Sequence, residues 1–268
     1  GTRARARRKE RMKMQEKPYA IVGSNQKGGT GKSTILMNIG ACLAMSGRRT
    51  LLVELDRQGS VGGWLTIPEA DGEKLATAAR NAGKTVTPVL DDPSLVTEFA
   101  MHSRVEGFDV LCADAGLHRA PKSSIAGIID AASGVWDYVL FDLRRDVEES
   151  IEDVEGLDLR AIVPVVGDGE QLTGVKKVMD DLGHSCEFRL VDNFIRFNSI
   201  ADRVAKAVRG RDVPNVPVFK QDVRYSTKVR EASIAGIPVV VYDPRNSASR
   251  DLRALTEEVI EWCEGEQR

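Results

Sequence analysis

A glycine-rich run between two apolar segments constrains the fold of this chain more than any other feature. The run is NQKGGTGKST, at residues 25–34. It follows the short apolar stretch 19–23, and after it apolar residues recur at helical spacing as far as Gly47. The nearly continuous apolar stretch 50–55 is typical of a parallel strand that is buried on both faces. The first part of the chain is therefore predicted to form a βαβ unit.

Further apolar runs predict more strands, mostly separated by segments compatible with helices. These runs are Phe108 to Ala113, Tyr138 to Phe141, Ala161 to Val166, Phe188 to Val191 and Pro238 to Tyr242. The alternation predicts an α/β fold with a doubly wound, mostly parallel sheet flanked by helices on both faces. Between Gly62 and Gly107 the periodicity is weak and prolines interrupt it, which predicts short helices and loops.

The charge distribution separates a basic tail from an acidic remainder. The formal net charge of the 268 residues is -2, but residues 1–17 hold eight Lys/Arg against two Glu, a balance of +6 that leaves -8 for the rest. Such a tail attracts nucleic acid or an anionic surface, or it serves only to keep the chain soluble. No apolar run approaches the length of a membrane span and no signal-peptide pattern is present, which predicts a cytoplasmic protein. The scattered cysteines and histidines indicate neither a metal site nor a redox pair.

The glycine-rich run predicts a phosphate-binding loop. A turn between a strand and a helix directs backbone N–H groups and the positive end of the helix dipole toward one point. Lys32 supplies a charge for the β- and γ-phosphates, the Ser33 hydroxyl can ligate Mg²⁺, and Thr34 can reach the α-phosphate. The loop residues expected to hold the nucleotide are Gly28, Gly29, Thr30, Gly31, Lys32, Ser33 and Thr34.

Two aspartates are candidates to complete this site. Asp56 follows the apolar residues of LLVELDRQGS, and Asp142 follows those of DYVLFDLRRD. The carboxyl ends of parallel strands lie at the same edge of a sheet as the loop, so Asp142 is expected to hold Mg²⁺ through water and Asp56 to position the attacking water. Either residue alone would more often be a strand-end or helix-capping aspartate. Together with the loop they predict an ATPase that uses ATP and Mg²⁺.

The motifs KGGTGKST, LLVELDRQG and DYVLFDL, in this order, resemble those of the ParA/MinD family of deviant Walker A ATPases. Residues 225–232, 236–239 and 242–244 resemble the C-terminal signature of the partition ATPases that form its ParA branch. The resemblance covers about residues 18–262. Because the sequence contains no internal repeat and no long low-complexity linker, a single P-loop ATPase domain is predicted at 18–268, and the basic tail at 1–17 is predicted to be disordered.

The resemblance also implies roles for individual residues. In this family the lysine at the position of Lys27 reaches the nucleotide of the partner subunit, so two ATP molecules lie between two protomers. Lys27 would then act in trans in an ATP-dependent homodimer, while Lys32 serves its own nucleotide. By the same likeness Asp56 is needed for hydrolysis and Asp142 is the outer magnesium ligand, so the predicted metal site combines them with Ser33. Asn193 is a candidate for adenine recognition or an ordinary turn residue.

Three segments depart from the pattern of the family. Glu54 stands where Asp is usual, Arg57 replaces a common proline, and Leu143-Arg144-Arg145 replaces the usual Thr-Pro-Pro. The last of these changes lies beside the expected switch region, which bears on hydrolysis and on coupling to a partner.

A basic segment lies near the C-terminus. Residues 196–230 hold nine Lys/Arg against three Asp, a balance of +6. Such a run is typical of a solvated face, or of a surface that contacts DNA phosphates without reading sequence. The family resemblance places DNA-binding residues in this region. The candidates are Arg203, Lys206, Arg209, Arg224 and Lys228.

The function implied is that of a plasmid or chromosome partition ATPase. Its ATP-bound dimer would bind DNA nonspecifically on the nucleoid, and a separately encoded ParB-type partner would release it by stimulating hydrolysis. An ATPase that positions a protein cargo and a small-molecule ATP-dependent enzyme remain alternatives. A MinD-like ATPase that cycles on membranes would need a basic amphipathic C-terminal helix, whereas residues 252–264 predict an acidic one packed on the domain.

Overall fold

The computed structural model describes residues 17–24, 29–68, 72–117, 120–143, 156–166, 186–194 and 216–265. The strands in these ranges are β1 (Tyr19–Gly23), β2 (Thr50–Leu55), β3 (Met101–His102), β4 (Phe108–Leu111), β5 (Tyr138–Leu143), β6 (Arg160–Val166) and β7 (Glu187–Asn193). The helices are α1 (Lys32–Met45), α2 (Ser60–Trp64), α3 (Leu75–Ala82), α4 (Val86–Asp91), α5 (Val96–Phe99), α6 (Lys122–Ala131), α7 (Lys228–Ala235), α8 (Val239–Tyr242) and α9 (Ser247–Glu264).

The first part of the chain forms the predicted strand, loop, helix and strand. Helix α1 begins after Gly31, whose φ of 86° lies in the left-handed region that favours glycine. It ends at Met45, two residues before Gly47, where φ is again positive. The helix is buried on nearly all sides, which explains why its apolar residues do not form a narrow stripe.

The described strands form one sheet in the order β3-β4-β2-β5-β1-β6-β7. The pairs are parallel, except for the short antiparallel pair of β3 with β4. Strand β1 lies near the middle, with β5 on one side and β6 on the other. The prediction of a doubly wound, mostly parallel sheet flanked by helices is therefore confirmed, while the two-residue strand β3 was not predicted.

Both faces of the sheet are covered, so the strands have apolar residues in consecutive positions. Ile21, Leu52 and Leu140 pack on the face that is covered by α1 and α9. Val53 and Phe141 point to the opposite face, where α6 contributes to a second cluster. Neighbouring residues of each strand therefore enter different cores, as a buried parallel sheet requires.

The predicted strand at Pro238 to Tyr242 is wrong, because this segment holds the short helix α8. Val239 and Val240 are fully buried, and the Val240 N–H donates to Asn38 Oδ1 of α1 at 3.3 Å. A short apolar run satisfies a buried helix as well as a buried strand, and here packing against α1 decides between them.

The predictions for two other segments are confirmed. The stretch between Gly62 and Gly107 holds short helices and loops. The C-terminal helix α9 buries Leu252, Leu255 and Val259 against the domain. No helix among the described residues has the length and apolarity needed to span a bilayer.

Candidate functional site

The ends of three neighbouring strands bring polar residues to one edge of the sheet. Gly23 of β1 pairs with Asp142 of β5, and Asp142 pairs with Glu54 of β2. Paired residues of parallel strands direct their side chains to the same face. The edge therefore carries two carboxylates beside the loop that connects β1 to α1.

The described half of this loop is held by a residue from a distant strand. Asn193, the last residue of β7, is buried, and its Nδ2 donates to the Thr30 carbonyl at 2.7 Å. A Cβ at Gly31 would clash with the same amide, so glycine is required there both for its φ and for the close approach. Gly29 also has a positive φ. The predicted loop residues Lys27 and Gly28 lie outside the described residues.

A buried ion pair lies beneath the loop. Lys32 Nζ is 2.9 Å from Asp142 Oδ1, and the two side chains are only 8% and 1% exposed. Neither atom has a further hydrogen-bond partner among the described residues. Burying two charges is expensive unless further partners stabilise them. The arrangement therefore suits a site that receives an anionic ligand at Lys32 and polar ligands at Asp142.

The oxygen atoms at this edge suit a hydrated magnesium ion. Ser33 is the second residue of α1, and Asp142 presents a buried carboxylate at the end of β5. The described residues contain no group of three or more His, Cys, Asp or Glu side chains that could enclose a metal ion. Mg²⁺ is usually held by one or two protein oxygens together with phosphate oxygens and water, so the residues present fit it without such a group.

Asp56 lies in a turn at the same edge. It follows β2 directly and is partly exposed. Its Oδ1 accepts the Gln58 N–H at 3.0 Å, and its carbonyl accepts the Gly59 N–H at 2.9 Å. Gly59 has a φ of 53°, which allows the chain to turn from β2 into α2. The predicted catalytic aspartate is therefore on a short turn that is anchored at both ends.

Glu54 is a residue at this edge whose role sequence reasoning missed. Its Oε1 accepts the Val61 and Gly62 N–H groups at 2.6 and 3.1 Å, and its Oε2 accepts the Ala113 N–H at 3.2 Å. Burial, and next the charge of Asp142, raise the pKa of Glu54 to about 7, against the lowering effect of these three hydrogen bonds. The available signal was a carboxylate in an otherwise apolar strand, two residues before Asp56.

A cavity of about 430 Å³ opens beside the loop. Its lining is mostly apolar and combines the first turns of α1 with the segments after β7 and before α7. The Phe194 and Tyr225 rings meet edge to face there, with centroids 6.4 Å apart. Thr34 and Asn193, two of the predicted nucleotide-binding residues, also line this cavity.

Two basic residues in the described part of the basic segment are paired with carboxylates. The Arg224 guanidinium donates to both carboxylate oxygens of Asp251 at 2.8 and 2.6 Å, and the Arg224 backbone N–H donates to the same carboxylate. Lys228 Nζ donates to Glu231 at 2.7 Å, and this partner raises the pKa of Lys228. The other DNA-binding candidates, Arg203, Lys206 and Arg209, lie outside the described residues.

The two departures other than Glu54 also have visible structural roles. Arg57 Nη2 donates to the Ala115 carbonyl at 3.0 Å and so joins the turn after β2 to the loop after β4. Leu143 is buried at the end of β5, where it pairs with Leu55. Arg144 and Arg145 lie outside the described residues.

Comparison with known proteins relates this site to ATPases. A family described as an AAA domain matches residues 19–148, a span that contains the loop and both predicted aspartates. The chromosome partitioning protein ParA of Caulobacter vibrioides is 28% identical over 268 residues, which cover 92% of this chain and 96% of that protein. The sporulation initiation inhibitor protein Soj of Bacillus subtilis is 27% identical over 261 residues, which cover 89% and 97%.

Solved structures share the fold at lower sequence identity. The McdA–ATP complex of Cyanothece has a TM-score of 0.71 at 15% identity and covers 92% of this chain and 96% of its own. The septum site-determining protein MinD of Pyrococcus horikoshii, complexed with Mg-ADP, has a TM-score of 0.65 at 23% identity, with coverage of 91% and 97%. The likeness therefore extends over nearly the whole length of each chain.

Proposed function

Since the chain belongs to the ParA/MinD superfamily of P-loop ATPases, we propose that it is a DNA-partition ATPase whose ATP-bound dimer holds DNA. The buried Lys32–Asp142 pair beneath the phosphate loop carries the proposal, because it places a cation and a carboxylate where a nucleotide phosphate and its magnesium would bind. Relatives named for chromosome partitioning match nearly the whole chain, which supports the partition role.

ATP and Mg²⁺ are the cofactors. The loop N–H groups and the Lys32 ammonium would bind the phosphates, and the Ser33 hydroxyl and the Asp142 carboxylate would hold the metal. When bound there, magnesium would supply positive charge to offset the negative charge on the phosphate oxygens. Lys32 changes its partner from Asp142 to phosphate when the nucleotide binds, so the buried pair keeps the lysine in place beforehand.

Asp56 orients the attacking water. Asp56 lies in the turn between β2 and α2 and is partly exposed. Strand β2 is the neighbour of β5, the strand that holds Asp142. Phosphoryl transfer needs little beyond positioning and charge stabilisation, so one fixed acceptor for a water proton is sufficient. The residue is therefore required for hydrolysis and dispensable for ATP binding.

The cavity beside the loop receives the base and ribose. A nucleotide whose phosphates lie on residues 29–34 reaches this cavity past Thr34. Its apolar lining, with the rings of Phe194 and Tyr225, suits a planar base. Asn193 both supports the loop and lines the cavity, so it can contact the nucleotide from the side of β7.

The dimer depends on Lys27. Its role rests on the family likeness: the lysine contacts the phosphates of the partner subunit's nucleotide, so the stability of the dimer depends on ATP. Hydrolysis removes that contact and releases the two copies. This coupling explains why the loop contains two lysines, of which Lys32 serves its own site.

DNA binds through phosphate contacts of the basic segment, and a ParB-type partner accelerates release. Arg203, Lys206, Arg209, Arg224 and Lys228 are the proposed contacts. The protein would then associate with the nucleoid in the cytoplasm while it carries ATP.

Positioning of a protein cargo is the second candidate, because the fold is also that of McdA and MinD. Cycling on a membrane is less well supported, because α9 buries its apolar residues against the domain and exposes Glu257 and Glu261. Cargo positioning and DNA partition share the ATP switch and differ in what the dimer carries.

Gel filtration with light scattering tests the switch. Mg²⁺ and ATP should convert a monomer to a dimer, and only the dimer should bind DNA of any sequence, with an affinity that falls steeply with salt. The Lys27→Ala variant should bind ATP as a monomer and dimerise weakly. Sequence-specific or ATP-independent DNA binding would contradict the partition role, and a chain that hydrolyses ATP as a monomer indicates a small-molecule enzyme.

A further inference from the structure

We propose that Glu54 is a positioning residue for hydrolysis. It would accept backbone N–H groups and so hold the segment with Asp56 against the phosphate edge, the edge of the sheet that carries the loop and Asp142. The inference rests on the proposed role of Asp56. It also accounts for the glutamate at a position where aspartate is usual in the family.

The contacts of Glu54 join three parts of the structure. The residue itself belongs to β2, its Oε1 accepts two N–H groups from the first turn of α2, and its Oε2 accepts one from the loop after β4. The chain between Glu54 and these α2 contacts is the turn that holds Asp56. The turn therefore begins at the end of β2, and the hydrogen bonds from α2 to Glu54 hold its other end.

Close packing limits how far α2 can move relative to Glu54. A Cβ at Gly62 would lie 2.9 Å from Glu54 Oε2 and 2.8 Å from Cys112 Sγ, so a larger residue forces a shift of α2, of the carboxylate or of Cys112. At Gly63, the next residue of the same helix, an added Cβ meets no atom within 4 Å. Of these two neighbouring glycines, only Gly62 is packed against Glu54.

The length of the side chain matters more than its charge in this arrangement. Aspartate is shorter by one carbon–carbon bond, about 1.5 Å, and cannot reach three N–H groups that lie 2.6 to 3.2 Å from the glutamate oxygens. Glutamine keeps the length and retains an oxygen acceptor for α2. A positioning role therefore predicts that Glu54→Gln is milder than Glu54→Asp, and a role through charge on the metal predicts the reverse order.

Steady-state and single-turnover hydrolysis of ATP by the full chain test the proposal. For Glu54→Asp we expect kcat to fall about tenfold or more, because small misplacements of a reacting group are costly to the rate. The Kd for ATP and the Mg²⁺ dependence should stay within about threefold of the wild type. Amide exchange at Val61 and Gly62 should become faster in Glu54→Asp than in the wild type. The kcat of Glu54→Gln should lie between those of the wild type and Glu54→Asp.

The glycine pair separates positioning from loss of folding. Gly62→Ala leaves Glu54 intact but crowds its contact with α2, so it should lower kcat about as Glu54→Asp does, with ATP affinity retained. Gly63→Ala should behave as the wild type in both measurements. If the Glu54 variants fail to fold, this pair alone decides the question.

Two results overturn the proposal while the ATPase stands. One is a wild-type kcat in both Glu54→Asp and Gly62→Ala. The other is full activity of Glu54→Asp combined with weakened Mg²⁺ dependence of Glu54→Gln, which assigns the glutamate to the metal. A wild-type chain that binds ATP without hydrolysing it removes the proposed function, and the inference fails with it.

Discussion

The phosphate edge and the basic segment arrange their charged side chains in opposite ways. At the phosphate edge, Lys32 and Asp142 are buried, and neither of the two paired atoms has a further hydrogen-bond partner among the described residues. In the basic segment, Lys228 pairs with Glu231 at the surface, with both side chains about 40% exposed, 39% and 41%. Buried charges interact strongly with a few fixed partners, whereas surface pairs are weak and screened. Single residues should therefore determine nucleotide binding and hydrolysis at the phosphate edge. The total charge should instead determine the DNA affinity of the basic segment.

The largest effect should come from Lys32→Ala. The change removes the loop cation and leaves Asp142 as a buried, unpaired charge, so we expect nucleotide affinity to fall about a hundredfold and stability of the nucleotide-free protein to fall by about 3 kcal/mol. Calorimetric titration and chemical unfolding measure the two quantities. Lys84→Ala is the control, because that lysine is partly exposed and lies 3.9 Å from Glu98 at the surface. Retained nucleotide affinity in Lys32→Ala would show that the buried pair is only structural.

Asp56→Ala should separate hydrolysis from binding at the same edge. We expect phosphate release to slow about a hundredfold, with ATP affinity within about threefold, because the role proposed for the carboxylate is to orient water rather than to bind the nucleotide. The variant should accumulate as a DNA-bound dimer in gel filtration with ATP. Asp92→Ala removes a similar turn aspartate, which accepts the Ser94 N–H at 3.1 Å away from this edge, and should have no effect. A monomeric Asp56→Ala in ATP would contradict the assigned role.

Arg224→Ala tests a residue that shares features of both regions. Its guanidinium is 44% exposed, but its partner Asp251 is 5% exposed and also accepts the Arg224 backbone N–H. Loss of the side chain leaves a buried carboxylate with fewer donors, so we expect a free energy of unfolding lower by about 1 kcal/mol and a Tm lower by about 2–4 °C. Lys228→Ala should leave Tm unchanged in the same thermal scan. Equal Tm values for both variants would remove the distinction between these two pairs.

The smallest effect of a single residue should be on DNA affinity. If Lys228 and Arg203 contact phosphates, each change to Ala should reduce the slope of log affinity against log salt by about 1 and weaken all DNA sequences alike. Titrations at several salt concentrations measure the slope, and Lys84→Ala again serves as the control. Unchanged slopes in both variants would show that the basic segment is a solvated face that does not contact DNA phosphates.

Much of the phosphate edge could be predicted from local patterns. The loop and its flanking strand and helix are contiguous, and the two aspartates directly follow apolar runs that end at one edge of a parallel sheet. The support from Asn193, the contacts of Glu54 and the pairing of Arg224 with Asp251 could not be predicted. Each joins residues that are distant in sequence or depends on backbone groups with no sequence pattern.

The sequence by itself determined the class of fold and the phosphate loop, because helical and strand periodicities and glycine spacing are local properties of the chain. Only the tertiary structure decided that Pro238 to Tyr242 contains a helix and that Lys32 and Asp142 form a buried ion pair. It also decided that Glu54 accepts hydrogen bonds from the residues that follow the turn of Asp56. The physical reason is common to all three. Burial and hydrogen bonding depend on which segments pack together, and a short run or a single carboxylate is compatible with several outcomes until its neighbours are in place.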